Sequence, residues 1–371
     1  SYYVWEKSTG HAESMVFYHK LGVELRKVTF DINGKAVFED LLYDDYGNVK
    51  QKSLPYHVDG AKLYVTSTYD MFNRVNEVSY PNGMIKRFIY DGDVVMTELI
   101  SDDGKRRSMT NRYNVMDWLV ETSDYGGNKV KYEYFSDGLI QSAQIGDNDK
   151  TKISVTYDNS RNRKSLYDPN YGLVEYEYDP WGNITKIKNP KNAEVEFQYD
   201  KSGRLIGKTE KDGGRIVNST NWIYNLEKGK NGLLNKIVTS NNHQIDYVYD
   251  DKLRLVRSIE KIQGKSYSTS YAYDAANRVS SVTYPSGLRV MKCYSNSGRE
   301  KEISDANDGK ILWKTNDTNA YGDIVEFQLG NGTKTQMSYD LKTSLVDNDL
   351  VVNDKDVIHN FRYFYDDFGN M

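Results

Sequence analysis

The sequence predicts an all-β protein: an array of about sixteen β-hairpin repeats that form one long antiparallel sheet. Three observations support this class. The dipeptide Tyr-Asp occurs 11 times, whereas the composition predicts about three by chance. A residue that tolerates positive φ, glycine or asparagine, recurs three positions after the aspartate. Aromatic residues alternate with polar ones just before the dipeptide, which is the two-residue period of a strand.

Alignment on the pattern Tyr-Asp-x-x-Gly places the repeats in one common register. Consecutive registers are 21 to 26 residues apart, and ten of the sixteen keep the full Tyr-Asp pair. The registers begin at Tyr18, Tyr43, Tyr69, Tyr90, Tyr113, Tyr134, Tyr157, Tyr178, Tyr199, Tyr224, Tyr249, Tyr273, Tyr294, Thr318, Tyr339 and Tyr365.

Each register is interpreted as a hairpin tip. Its fifth position is glycine in eight cases, for example Gly182 and Gly203, and asparagine at Asn73 and Asn277. Aspartate followed three residues later by glycine is typical of a type I turn. The aspartate side chain can also accept backbone N–H groups within the turn.

The flanking segments are predicted to be strands. Before the tip, pairs such as Tyr176 and Tyr178 alternate with charged residues, which predicts one aromatic and one polar face. After the tip, apolar residues such as Ile184 and Ile187 stand three apart, and we expect a β-bulge there. A second turn follows in many repeats, as at Pro285-Ser286-Gly287. Longer spacings, such as that from Tyr199 to Tyr224, are expected to be loop insertions.

Composition excludes several classes of protein. The chain has 371 residues, a net charge of −4 and one cysteine. It contains no disulfide framework, no basic stripe for nucleic acid and no apolar run of transmembrane length. No long helix is predicted, and the residues that begin at Ser1 lack the charged-then-apolar pattern of a signal peptide. We expect residues 1–16 to form a leading edge segment and residues 17–371 a continuous array that stops within a repeat.

These repeats resemble the RHS/YD-repeat family, and the resemblance covers residues 17–371. Close matches to its motif are YDPWGNITKI at 178–187, YDKSGRLIGK at 199–208 and YDAANRVSSVTYPSG at 273–287. The stretch at 17–56 is similar to a tandem found in bacterial RHS proteins of polymorphic toxins. The Tyr18 repeat departs from the pattern, since His19 stands where the family has aspartate.

The resemblance implies a fold and a role. It implies that the sheet curls into a spiral shell or barrel wall. Bacterial members enclose a C-terminal toxin polypeptide, which an internal protease-like domain releases, and animal teneurins use a similar barrel for adhesion. The implied partners are other repeats and the closing region of the same parent chain, the enclosed toxin, and secretion-machinery or toxin-complex subunits. The implied localisation is secreted or at the bacterial cell surface.

The sequence contains no convincing motif for chemistry. The segment from Gly203 to Thr209 lacks the spacing of a P-loop, and the acidic loops at Asp147-Asn148-Asp149 and at residues 347–356 lack calcium-ligand spacing. Cys293 lacks an identifiable base. Two further patterns have structural interpretations: Glu175 and Glu177 as a polar strand face, and the Tyr-Asp pairs as ladders and turn caps. The five histidines are scattered without metal-ligand spacing; they are His11, His19, His57, His243 and His359.

We therefore assign no catalytic, cofactor-binding or metal-ligating residue, and predict that the chain is not an enzyme. The leading hypothesis is a structural encapsulation module, a section of shell that sequesters a toxin polypeptide until its release. The alternative is a cell-surface adhesion or carbohydrate-binding module, in which exposed tyrosines stack on sugars. An enzyme hidden in an insertion is the third hypothesis.

Overall fold

The computed structural model describes residues 1–371 except His11, Lys228 and Lys355. Nearly all regular structure in this described part is β-strand, and its one helix is a 3-10 turn at Asp149–Thr151. The first sixteen strands are β1 (Tyr2–Glu6), β2 (Ser14–Tyr18), β3 (Glu24–Phe30), β4 (Ala36–Tyr43), β5 (Val49–Ser53), β6 (Tyr64–Tyr69), β7 (Val75–Ser79), β8 (Ile85–Asp91), β9 (Val94–Ile100), β10 (Arg106–Tyr113), β11 (Leu119–Ser123), β12 (Lys129–Tyr134), β13 (Ile140–Ile145), β14 (Ile153–Tyr157), β15 (Arg163–Asp168) and β16 (Gly172–Tyr178).

The second sixteen strands continue the same pattern. They are β17 (Ile184–Lys188), β18 (Ala193–Tyr199), β19 (Leu205–Asp212), β20 (Arg215–Tyr224), β21 (Leu234–Thr239), β22 (Gln244–Tyr249), β23 (Leu255–Ile262), β24 (Lys265–Tyr273), β25 (Val279–Thr283), β26 (Arg289–Tyr294), β27 (Glu300–Asp305), β28 (Ile311–Thr318), β29 (Ile324–Leu329), β30 (Lys334–Tyr339), β31 (Val346–Val352) and β32 (Val357–Arg362).

The strands pair antiparallel with their neighbours in the chain, in two compact units. Unit 1 comprises Ser1–Ile89, Met96–Ser108 and Tyr271–Met371, and unit 2 comprises Tyr90–Val95 and Met109–Ser270. Ladders join β1 through β8 in order, and β25 through β32 in order, within unit 1. Unit 2 contains the ladders from β10 to β24. The all-β fold class, an array of antiparallel hairpins, is confirmed.

The predicted tip geometry is confirmed at most registers. At the Tyr178 tip, the N–H of Gly182 donates to the carbonyl oxygen of Asp179 at 3.0 Å, and Gly182 has a φ of 87°. The fifth position keeps a positive φ even where it is neither glycine nor asparagine, as at Arg161 (68°) and Leu253 (64°). The turn therefore imposes the left-handed conformation, and glycine or asparagine lowers its cost.

The bulge predicted just after the tip is also confirmed. Tyr178 pairs with Ile184, whereas Glu177 pairs with Lys186, so that Thr185 is the extra residue on the second strand. The same shift occurs in other hairpins, for instance before Tyr199 and before Tyr249. Residues on one face of a regular strand stand two apart. The bulge inserts one additional residue, so the apolar residues on either side of it stand three apart and still share a face.

The registers at Tyr90 and Tyr339 and one expected insertion are among the features that differ from the prediction. At Tyr90 only Gly92 and Asp93 separate β8 from β9, which is the length of a two-residue hairpin loop. At Tyr339 the tip is one residue longer, and Ser344 rather than Thr343 takes the positive φ. The extra length between Tyr199 and Tyr224 lies in longer strands, β19 and β20, and not in a loop.

The apolar core is thin and polar groups share it. Val28, Ile32, Val37, Val174, Val282 and Val290 are the buried apolar side chains among the described residues. Ser53 and Thr315 are each only 1% exposed. Most register tyrosines are half-buried, as expected for residues on one face of a sheet.

In unit 1, residues near the start of the chain contact residues near its end. The N–H of Ile32 donates to Thr318 Oγ1 at 3.4 Å, and Asn33 Nδ2 donates to the carbonyl oxygen of Asn316 at 3.0 Å. Lys301 Nζ donates to Asn33 Oδ1 at 2.9 Å. Ile32 is 4% exposed and Thr318 is 3% exposed, so the contact between them is largely shielded from solvent.

Candidate functional site

In most of the described repeats the register tyrosine bonds to the repeat before it. Tyr199 donates its hydroxyl proton to the carbonyl oxygen of Ile184 at 2.9 Å. Ile184 is the first residue of β17 and lies where the bulge locally disrupts the ladder. Burial raises the pKa of Tyr199, so its hydroxyl remains a donor at neutral pH.

This tyrosine–carbonyl bond recurs along both units. Its acceptor is always the first residue of the strand that follows the preceding tip, and its length is 2.7 to 3.0 Å. Among the described residues, further pairs are Tyr43 with Glu24, Tyr69 with Val49, Tyr134 with Leu119, Tyr157 with Ile140, Tyr178 with Arg163, Tyr224 with Leu205, Tyr249 with Leu234, Tyr294 with Val279, Tyr339 with Ile324, and Tyr365 with Val346.

The register aspartate caps the tip. Asp179 Oδ1 accepts the N–H groups of Trp181 and Asn183, both at 2.9 Å, and Oδ2 accepts Asn183 Nδ2 at 2.9 Å. The hydrogen bond from the Asn183 side chain is the main cause of a lowered pKa at Asp179. The same pair of N–H bonds is formed at the register aspartates Asp44, Asp70, Asp158, Asp200, Asp250, Asp274 and Asp366, and at Asp31 and Asp124 in turns between registers.

Arginine at the sixth register position connects the cap to the next repeat. Arg204 Nε donates to Asp200 Oδ2 at 2.7 Å, and its guanidinium carbon lies 4.5 Å from the centroid of the Tyr224 ring, within cation–π range. Arg278 makes the same pair of contacts with Asp274 and Tyr294. The structural interpretation of the Tyr-Asp pairs is therefore confirmed: their polar atoms hold turns and join repeats.

The repeat at Tyr18 forms its turn although histidine replaces the aspartate. His19 Nδ1 accepts the N–H of Leu21 at 3.4 Å, and the carbonyl oxygen of His19 accepts the N–H of Gly22 at 2.8 Å. The imidazole thus takes the place of the carboxylate, with a longer bond.

Sequence reasoning missed a buried ionic cluster around Asp40. This residue is 5% exposed, and its carboxylate accepts Arg26 Nε at 2.5 Å and the Tyr56 hydroxyl at 2.7 Å, and also contacts Lys62 Nζ. Its own N–H donates to Ser53 Oγ at 2.7 Å. Burial opposes ionisation, but the hydrogen bonds from Arg26, Lys62 and Tyr56 outweigh it and hold the pKa of Asp40 well below its usual range.

The contacts of the Asp40 cluster suit a structural role. A carboxylate that stays ionised at neutral pH and whose oxygens are already bonded cannot serve as a general acid or base there. Arg26 and Asp40 lie directly opposite each other on β3 and β4. An alignment of the two strands of this hairpin could have predicted the pair of Arg26 and Asp40. Lys62 and Tyr56 come from the 54–63 loop, whose position the strand alignment does not predict.

The candidates considered from the sequence remain dispersed. Cys293 is exposed on β26 opposite Glu302, and the Gly203–Thr209 segment forms a tip and part of β19. Glu175 and Glu177 lie opposite Lys188 and Lys186, as charge-complementary cross-strand pairs.

The acidic loops and histidines likewise form no common site. Asn148 caps the 3-10 helix. His243 contacts Glu260 at 2.6 Å and His359 contacts Asp349 at 3.2 Å, while His11 lies outside the described residues. Within the described part of the chain, no group of three or more potential ligands could hold a metal ion. No described helix combines the length and hydrophobicity needed to cross a membrane.

Comparisons with solved structures identify the fold. The TcdB2-TccC3-TEV structure aligns with a TM-score of 0.83 and 15% identity, over 97% of this chain and 22% of that one. A TcdB2-TccC3 structure gives 0.82 and 14%, over 96% and 22%. A Tc holotoxin pore from Photorhabdus luminescens gives 0.82 and 16%, over 97% and 21%. The chain thus spans about a fifth of the length of these solved chains, with which it shares its fold.

Comparisons of sequence identify the family. No curated protein matches the chain. The RHS Repeat family model matches residues 249–289. The Teneurin YD-shell family model matches residues 18–231, the region in which the tyrosine–carbonyl bonds and aspartate caps recur from one repeat to the next. With more than half of its length matched by that model, the chain belongs to the Teneurin YD-shell family of YD/RHS-repeat proteins.

Proposed function

We propose that this chain is a section of shell that encloses and sequesters a toxin polypeptide of the same parent protein until its release. Its immediate partners would be further repeats and the closing region of that parent, together with other toxin-complex subunits. The array of residues 17–371 would act as wall and not as catalyst, within an exported bacterial protein.

One observation carries this proposal: the residues that define the repeat are used to build the wall. Tyr199 and ten other register tyrosines bond to the preceding repeat, and the register aspartates bond to their own turns. A wall that separates a polypeptide from its surroundings needs this continuity between repeats, since neighbouring units stabilise one another through their interfaces.

The same observation disfavours the carbohydrate-binding alternative. A sugar site needs free hydroxyl and carboxylate groups around an exposed aromatic ring. At the tip of residues 178–183, Asp179 is bonded to backbone and side-chain N–H groups, and the Tyr178 hydroxyl bonds to Arg163. Trp181 is exposed there, but the polar atoms of the repeat motif beside it are already bonded.

Protease protection tests the proposal on the natural full-length protein. The intact protein is treated with a non-specific protease and the surviving peptides are identified by mass spectrometry over time. We expect the enclosed segment to survive as long as the repeats remain folded, and to be cleaved at once when the protein is first unfolded in urea. The same segment expressed alone serves as the matched control. Cleavage of that segment at equal rates in the intact protein and in isolation would overturn the proposal.

A further inference from the structure

Unit 1 contains a cavity of about 420 Å³ between the 31–63 region and the 317–341 region. This volume lies in the range of small-molecule sites, about 300 to 1,000 Å³. Its walls are mostly apolar and aromatic, and include Leu54, Leu63, Tyr56, Tyr321 and Met337. No property of the repeat wall described above requires such a cavity.

Two hydrogen-bond acceptors face each other at this cavity. His57 Nδ1 lies 3.0 Å from the carbonyl oxygen of Ala36, and a carbonyl only accepts, so Nδ1 carries the proton. In neutral His57 the lone pair of Nε2 is therefore directed outward. Asp31 Oδ2 lies 3.6 Å from this nitrogen, beyond hydrogen-bond distance.

The facing oxygen of Asp31 has no hydrogen bond from the described residues. The Asp31 side chain is only 3% exposed, and its Oδ1 already accepts the N–H groups of Asn33 and Lys35. None of the hydrogen bonds between described residues reaches Asp31 Oδ2 or His57 Nε2. Burial of an ionised carboxylate is costly unless a charged or hydrogen-bonding partner compensates it.

The other buried carboxylate of unit 1 shows what such compensation looks like. Asp40 is held by Arg26 and Lys62. Lys35, which lies in the same turn as Asp31, bonds instead to Asp59 at 2.9 Å. Asp31 Oδ2 therefore remains available to a hydrogen-bond donor that the described residues do not supply.

The surrounding charge favours a cation. Asp317 and Asp340 also line the cavity. Burial opposes ionisation of Asp340, but hydrogen bonds from Thr343 and Lys342 outweigh it and lower the pKa of Asp340. Lys35 is the lining cation, and its charge is neutralised by Asp59. The cavity thus combines an anionic surface with aromatic walls, the combination that attracts organic cations.

We propose that this cavity binds an organic cation, an ammonium or guanidinium group on a short apolar stem, whose N–H groups bridge Asp31 Oδ2 and His57 Nε2. The stem lies against Leu54, Leu63 and Met337. The cation comes either from a free amine or from a lysine or arginine side chain of a polypeptide. This inference goes beyond the shell function and stands or falls independently of it.

Calorimetric titration with agmatine, a guanidinium and an amine on a four-carbon stem, tests this site. We expect saturable binding at pH 8. The Asp31→Asn variant should lose binding yet keep its turn, because Asn189 caps an equivalent turn with N–H bonds of 2.9 Å. The matched control is Asp200→Asn, a turn cap in unit 2, which should leave the affinity unchanged.

A second titration distinguishes the sources of the cation. An acetyl-Gly-Arg-Gly-amide peptide that binds while agmatine does not identifies a polypeptide side chain as the ligand, and the reverse identifies a free amine. No binding of either probe at millimolar concentration at pH 8 would overturn the proposal. Binding that the Asp31→Asn variant retains in full would overturn it as well.

Discussion

Gly203, at the left-handed position of a hairpin tip, allows a direct test of the turn assignment. Gly203 has a φ of 76°, and a Cβ atom built there would meet nothing within 4 Å. Replacement by valine therefore causes no collision, and its cost is that of the backbone conformation alone. That cost is about 1 to 2 kcal/mol for an ordinary L-residue, and a β-branched residue lies at the unfavourable end.

Asparagine at the same position is the matched control. Any side chain reduces the freedom of the unfolded chain and returns about 0.4 to 1 kcal/mol, so valine should be compared with asparagine rather than with glycine. Asn73 and Asn277 already occupy this register position with φ values of 65° and 63°. We expect Gly203→Val to be less stable than Gly203→Asn by about 1 kcal/mol.

Urea unfolding followed by tryptophan fluorescence measures this difference. With a slope of about 2.5 kcal/mol per molar urea, the two midpoints should differ by about 0.4 M. Equal midpoints for the valine and asparagine variants would refute the assignment of a left-handed turn at this position.

Three further predictions follow from the same contacts. Tyr199→Phe should lower the free energy of unfolding by about 1 kcal/mol, since it removes one hydrogen bond. The control Tyr46→Phe should leave it unchanged, because Tyr46 is 88% exposed and its hydroxyl has no partner among the described residues. Equal effects of the two substitutions in urea titrations would contradict the role of the tyrosine–carbonyl bond. Asp40→Asn should destabilise the protein by roughly 2 kcal/mol, because charge-assisted hydrogen bonds are lost, and an unchanged melting temperature would show that the cluster is dispensable. The pKa is lowered at the capping carboxylates of Asp179 and Asp366, to about 2 at Asp366. The stability that these two caps contribute is therefore complete above about pH 4 and is lost as the pH falls toward 2. Asp179→Asn should lose less stability in acid than the parent in thermal melts, and a loss equal to that of the parent would count against the caps.

The local features of the repeat could be predicted from the sequence because they depend on residues close together in the chain. The turn at Asp179, its left-handed Gly182 and the bulge after it follow from turn preferences and hydrophobic spacing. The exceptions follow from the same physics. Gly92 and Asp93 suit a two-residue loop, so β8 and β9 turn more tightly than the register predicts.

The contacts between distant residues could not be predicted in this way. Asp31 and Thr318 line one cavity although nearly the whole array separates them in sequence. Their approach depends on the strand register and twist accumulated over many hairpins, and no local pattern records this sum. The tyrosine–carbonyl bond was hidden for a related reason, since its acceptor is a backbone atom that any residue can supply, as Arg163 and Ile184 show.

Electron cryo-microscopy of the natural full-length protein tests the central claim most directly. The shell account predicts that the repeat array surrounds a lumen that contains density for a polypeptide segment of the same chain. It also predicts that this density disappears when the segment is deleted while the wall remains. A repeat array without an enclosed space, or one whose remaining segments all lie outside it, would contradict the account.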